Sequence, residues 1–264
     1  MINFSRVGDD MFEIIIDPDQ CIGCELCVND CLTHDLELIN NKAVPLHQYC
    51  FKCGHCIAIC PQQAVSVENY DMSEIKDFEE STFTIEPETF LNVVKFRRSV
   101  RHYLDKEVKR EKIEKIIEAG RYTETASNSQ GVSYIVVQKE IPKLREQATK
   151  QLRTLIESGY NSSGLNLDEG DFLFRNAPVL ILTVSKSKVD AGLAASNMEI
   201  MAVTQGLGAF FIGFFVRIAN QDQEIKAILE MKPGEEIITC MAVGYPKIKY
   251  YRTVPRKKAK IRWK

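Results

Sequence analysis

Eight of the nine cysteines repeat one spacing twice: Cys21, Cys24, Cys27 and Cys31, then Cys50, Cys53, Cys56 and Cys60, each 29 residues after its counterpart. A thiolate at every third residue lets a short loop wrap one cube of iron and sulfide and meet three of its corners, with the fourth thiolate arriving from elsewhere in the chain. The pattern is the signature of two [4Fe–4S] clusters. Two other uses compete. Structural zinc takes two separated pairs of ligands, whereas here a third cysteine crowds each CxxC. Disulfides suit a secreted chain, but the opening residues turn acidic at Asp9 and Asp10 without the apolar stretch of a secretion signal.

The spacing, with Pro61 after the second quartet, resembles that of bacterial two-cluster ferredoxins. That resemblance implies crossed ligand sets: Cys21, Cys24 and Cys27 with Cys60, and Cys50, Cys53 and Cys56 with Cys31. Leu32 stands where the second repeat has Pro61, a departure that removes no ligand. Cys240 lies apart in the apolar run Ile237 to Val243 and reads as a small buried hydrophobe.

A second group of residues can grip an anion. Arg97, Arg98, Ser99 and Arg101 fall within five positions, offering guanidinium forks and a hydroxyl to a phosphate or to carbonyl oxygens. Further on come Ser127-Asn128-Ser129-Gln130, the stretch Gly206 to Phe214 with Asn197 on the segment before it, Val243-Gly244-Tyr245-Pro246, and Pro255-Arg256-Lys257. As an ordered set over residues 90–264, these resemble the FMN-dependent nitroreductase family. The resemblance implies that Arg97, Ser99 and Arg101, with Arg98 beside them, hold the ribityl phosphate or pyrimidine edge. Asn128 would meet the polar edge of the ring, Ile212 and Gly213 would offer backbone N–H groups near N5, and Arg256 or Lys257 would complete the phosphate site. No catalytic side chain is assigned, the reactive centre being N5 of the flavin. Thr125 and Gly131 depart from the prolines common in the family, which leaves the path of that loop open.

Two other signals carry no function. Gly206-x-Gly208 has its next glycine at 213 and follows a helical segment, unlike a dinucleotide fingerprint. The four histidines, at 34, 47, 55 and 102, share no spacing suited to a metal or a triad.

The elements that must position these groups are legible in part. Phe12 to Ile16 and Ala64 to Val67 read as short strands closing the cluster repeat from both ends. Periodicity predicts helices over 109–120, 141–159 and 191–204, and strands over 133–137, 178–184 and 236–243. Tyr160 to Arg175 reads as a loop or lid in which Phe172 or Phe174 could cover a flavin. The expected fold class is α+β: a small ferredoxin-like two-cluster domain (1–75), an acidic linker (76–89), and a nitroreductase-like mixed sheet with flanking helices (90–264).

Composition sets the outer bounds. A chain of 264 residues, 45% hydrophobic and 27% charged, can bury a large core and carry a small cluster domain besides. The richest apolar stretch, Ala209 to Val216, is far short of the roughly 18 residues of a membrane span. Residues 1–92 carry four Lys/Arg against 17 Asp/Glu, while residues 93–264 carry 30 against 19. That asymmetry suits either a soluble acidic electron carrier or an acidic donor domain docking on a basic acceptor. The basic residues are interleaved with acids, so nucleic-acid binding is not expected.

A cytoplasmic place off the membrane is expected, where thiolates and clusters stay reduced, and the resemblance implies a homodimer holding FMN beside the two [4Fe–4S] clusters. It would take electrons from a low-potential donor and reduce a small organic acceptor such as a nitroaromatic or quinone. The alternative is an electron-transfer or redox-sensing protein with no small-molecule substrate of its own.

Overall fold

The computed structural model describes residues 13–159, 167 and 170–264, which fall into two units. One runs through Thr84 and also takes in Thr125–Ser129; the other holds Ile85–Glu124 and Gln130–Lys264. Phe12 of the first expected strand, and residues 160–166, 168 and 169 of the expected loop, lie outside the described residues.

In the first unit β1 (Ile14–Ile16), α1 (Leu26–Asp30), β2 (Leu36–Ile39), β3 (Lys42–Pro45), α2 (His55–Ile59) and β4 (Val65–Val67) follow one another. β1 and β4 pair antiparallel with Ile14 opposite Val67, which brings the two ends of the cluster repeat together. β2 and β3 form a hairpin on Asn40 and Asn41, at φ 50° and 63°. Positive φ at both central residues matches a two-residue turn to the twist of its strands, and asparagine tolerates it better than most side chains. Ile14, Leu36, Ala43, Val65 and Val67 make the core together with Cys27 and Cys56.

The sequence repeat is also a backbone repeat. Gly23 and Lys52, Glu25 and Gly54, and His34 and Gln63 are pairs 29 residues apart, and all six are left-handed. Gly23 has a further constraint, because a Cβ there would lie 2.2 Å from the Asn41 carbonyl oxygen. After β4 come a 3-10 turn (Met72–Glu74) capped by Asp71 and α3 (Glu80–Phe83), neither of which buries a side chain.

The second unit opens with α4 (Pro87–Phe96), where proline takes the first turn and the Glu86 carboxylate accepts from the Thr89 N–H. Then follow α5 (Arg110–Arg121), a 3-10 turn at Ala126–Asn128 that belongs to the first unit, β5 (Ser133–Val137), α6 (Ile141–Glu157) and β6 (Val179–Val184). The chain continues through α7 (Lys188–Thr204), β7 (Gly208–Phe211), α8 (Gly213–Ala219), α9 (Gln223–Ile228) and β8 (Ile237–Gly244). The sheet order is β5-β6-β8-β7 in antiparallel ladders, with Ser99 bridging in parallel to Ala209.

Both faces of the central strands are covered, which is why they read as unbroken apolar runs. Leu180, Leu182 and Val184 of β6, with Cys240 and Ala242 of β8, pack against Leu144, Ala148 and Leu152 of α6 and Phe215 of α8. Val179, Ile181, Met241 and Val243 face the other way, toward Ile113 and Ile116 of α5 and Met198 and Ala202 of α7. Cys240 is a buried core residue. Phe174 is too, edge-on to Phe215, so it does not serve as a cover; Phe172 lies under the Arg175 guanidinium.

The stretch Gly206 to Phe214, expected as one glycine-rich turn, is mostly an edge strand followed by a helix. Gly208 is required there by close approach: a Cβ would lie 2.5 Å from Cγ2 and 2.6 Å from Cβ of Val100. Val100 is β-branched and cannot swing clear. Gly208→Ala is therefore expected to lower stability by about 1–3 kcal/mol, the cost of overpacking. Urea unfolding should show an earlier midpoint at unchanged slope.

Candidate redox sites

In the first unit the cysteines gather into two groups of four. One cavity is lined by Cys21, Cys24, Cys27 and Cys60, among Ile16, Ala43 and Val65. The other is lined by Cys31, Cys50, Cys53 and Cys56, among Ile14 and Leu36. Each group joins three cysteines of one repeat to the last of the other. Among the described residues no three cysteine, histidine or acidic side chains converge closely enough to hold a single metal ion. The sulfurs ring a cavity, a geometry for a multinuclear group.

Backbone N–H groups point at several sulfurs. Ala43 donates to Cys21 Sγ at 3.4 Å, Ala64 to Cys60 Sγ at 3.3 Å and Lys52 to Cys50 Sγ at 3.3 Å. Lys42 Nζ donates to the Cys21 carbonyl at 2.5 Å. Burial pushes the Cys27 and Cys50 thiols up, and takes Cys56 up to about 12, with neighbouring thiols adding to the shift. Four thiolates can share such a pocket only around positive charge. The donor set thus fits an iron–sulfur cube.

Asp35, which the sequence reading passes over, sits buried beside the second group. Its Oδ1 accepts from the Gln48 and Tyr49 N–H groups at 2.7 and 3.0 Å and so fixes the approach to Cys50. The only sequence signal is an acid four residues after Cys31 whose counterpart in the second repeat is Ala64.

In the second unit, Arg97 ends α4 and its Nη1 donates to Glu199 Oε1 of α7 at 2.8 Å. The pair is largely enclosed, with side chains 24% and 10% exposed. Sequence reasoning misses Glu199 as well, although an acid within the apolar run of α7 is a signal. Arg98 follows half-buried, Ser99 bridges to Ala209, and the Val100 N–H donates to the Ala209 carbonyl at 3.0 Å. This lays the segment along edge strand β7, where the Arg101 guanidinium stands over the Phe210 ring. A hydroxyl and several guanidinium groups on one strand edge suit the phosphate and polar ring edge of a flavin nucleotide.

Other assignments are altered. The Ile212 N–H donates to the Cys240 carbonyl at 2.8 Å across the sheet, so it is not presented outward. Gly213 stands exposed at the start of α8. The Asn128 amide is engaged within the first unit, donating from Nδ2 to the Lys52 carbonyl at 2.7 Å. Asn197 donates to Thr123 Oγ1 at 2.8 Å.

Arg256 and Lys257 lie in the exposed tail 247–264, and among the described residues no bond joins them to Arg97. That tail holds nine Lys/Arg and no acid, leaving 93–246 with 21 Lys/Arg against 19 Asp/Glu. The basic excess belongs to the tail rather than to the body of the unit. No helix among the described residues is long and apolar enough to cross a membrane.

Comparison with known proteins agrees with this division. Residues 94–245 match the model of the nitroreductase family, and residues 13–61 match a 4Fe-4S dicluster domain. An NADPH-dependent oxidoreductase of Staphylococcus aureus (strain USA300) is 26% identical over 163 residues, covering 59% of this chain and 64% of that protein. The chain thus spans less than two thirds of the length of such curated relatives. A nitroreductase with bound FMN from Bacteroides fragilis superposes with a TM-score of 0.56 at 22% identity, over 66% of this chain and 98% of its own. One from Desulfitobacterium hafniense, also with bound FMN, gives 0.56 at 19% identity, again over 66% and 98%. These likenesses show the fold.

Proposed function

Because the chain belongs to the nitroreductase family, we propose that it is an FMN-dependent oxidoreductase supplied by its own iron–sulfur domain. Cys21, Cys24, Cys27 and Cys60 would hold one [4Fe–4S] cluster, and Cys31, Cys50, Cys53 and Cys56 the other. Arg97, Arg98, Ser99 and Arg101 would hold FMN, and Gly213 would offer its N–H to the ring. The clusters supply single electrons, and FMN, when bound, gathers two and releases them as a hydride. The observation that carries this reading is the presence, in one chain, of two cysteine rings and a strand edge suited to a flavin nucleotide.

The chain's own groups would divide the work in this reading. Arg97 and Ser99 would bind the phosphate, and Arg101, held over the Phe210 ring, would meet the polar edge of the flavin. The reductant is a low-potential donor and the acceptor a small organic molecule such as a nitroaromatic or a quinone. The NADPH named for the S. aureus relative is that protein's reductant, and a fused cluster domain lessens the need for it here. The working form in this reading is a homodimer, and Val189 and Leu193, exposed one turn apart on α7, would contribute apolar surface to its seam.

Anaerobically purified protein should carry about eight iron, eight sulfide and one FMN per chain, and should sediment as a dimer. A reduced low-potential donor should bleach both chromophores faster than NADPH does. Iron without flavin would sink the oxidoreductase reading, and equal rates with NADPH would sink the fused-donor part of it.

A further inference from the structure

We infer that Asn128 is a positioning residue for the ring formed by Cys31, Cys50, Cys53 and Cys56. The inference rests on reading those cysteines as cluster ligands. In sequence Asn128 lies between α5 and β5, yet Thr125–Ser129 folds with the first unit. Its amide nitrogen donates to the Lys52 carbonyl at 2.7 Å, between Cys50 and Cys53, while the Lys52 N–H donates to Cys50 Sγ at 3.3 Å. From the other side Asp35 accepts from Gln48 and Tyr49. The loop carrying two ligands is therefore held before Cys50 by Asp35 and after it by Asn128.

The repeat shows why an outside residue is needed. The counterpart of Lys52 is Gly23, whose Cα packs so closely on the Asn41 carbonyl that a Cβ would lie 2.2 Å away. The first loop is thus backed by the unit's own hairpin turn. At Lys52 a side chain replaces the glycine, and the backbone carbonyl is tied to Asn128 instead. The backbone on both sides of this bond is left-handed, with φ of 52°, 51° and 48° at Ser127, Asn128 and Gln130, and 56° at Lys52. Four left-handed non-glycine residues persist only where their surroundings fix them. Asparagine tolerates that conformation and brings two N–H donors on a short arm.

The test uses the full holoprotein, made anaerobically as wild type, Asn128→Ala, Asn128→Asp and Asn128→Gln. Iron release to a chelator, the EPR spectrum of the reduced clusters and FMN retention are read in parallel. Asn128→Ala should release half of its iron about tenfold faster, the low end of what losing an outer partner costs in metal affinity. One EPR signal, the one missing from a Cys31→Ala chain, should shift, while FMN retention stays as in wild type. Asn128→Asp should be worse, because a carboxylate faces the Lys52 carbonyl, and Asn128→Gln should recover part of the effect. Wild-type iron release and EPR in the alanine and aspartate variants would overturn the inference, most plainly if FMN were lost instead. Should alanine prevent folding, the order of aspartate and glutamine in iron release decides it. Wild-type protein lacking clusters would defeat the ligand reading itself, before any variant is compared.

Discussion

A Cys60→Ala chain is expected to lose the cluster built on Cys21, Cys24 and Cys27 and to keep the other, and Cys31→Ala to do the reverse. Iron should fall from about eight to about four per chain in each case, and the surviving EPR signals of the two variants should differ. The expectation follows from the cavity linings, in which Cys60 stands with the first repeat and Cys31 with the second. Neither sulfur can be replaced by a neighbour. Cys240, the one cysteine outside the two groups, is enclosed in the core of the second unit with its thiol pushed upward by burial. The competing arrangement, in which each run of four cysteines holds its own cluster, predicts the opposite pairing of variant and loss. Metal analysis with EPR on both variants separates the two. A result in which Cys60→Ala spoils only the signal that depends on Cys50, Cys53 and Cys56 would reject the crossing.

The cluster unit is the more legible half because its information is local. Four cysteines within eleven residues name their chemistry without help from the fold. The supports are not legible. Left-handed backbone at Lys52, Glu25, His34 and Gln63 carries no glycine to mark it, and Asp35 becomes meaningful only when the loop that it accepts from is folded against it. In the second unit, β6 and β8 are readable as apolar runs because helices cover both faces. β7 is not: four residues ending in Phe210 and Phe211, between a glycine turn and a short helix, show no alternation that separates a strand from a turn. The Ile212 N–H is expected to face outward because nothing in the sequence places Cys240 opposite it. Charge misleads through averaging, since a count over 93–264 spreads the nine cations of the tail across a nearly neutral body.

Arg97→Ala should weaken FMN binding by about 1.5–3 kcal/mol, the scale of a lost hydrogen bond to a charged group, and should also lower the stability of the protein. Both follow from the pair that Arg97 makes with Glu199, 102 residues away at 2.8 Å. A guanidinium presents five donors in a rigid fork, so one bond to Glu199 fixes its orientation and leaves the others for a phosphate. Removing the arginine leaves an enclosed carboxylate without its cation. A fully buried pair broken in this way costs about 3–5 kcal/mol, and the partial exposure of Arg97 places the effect here below that range. The two consequences can be separated. Glu199→Gln in the Arg97→Ala background removes the stranded charge, so the thermal midpoint should recover most of its loss. FMN affinity should not recover, because the phosphate still lacks its donor. Equilibrium titration of apoprotein by flavin fluorescence, run beside thermal unfolding without flavin, reads the two quantities independently. Wild-type affinity in the double variant would show that Arg97 serves only to satisfy Glu199 and that the phosphate is held elsewhere. Joint recovery of stability and affinity would mean that the single variant had lost FMN through unfolding rather than through the missing guanidinium.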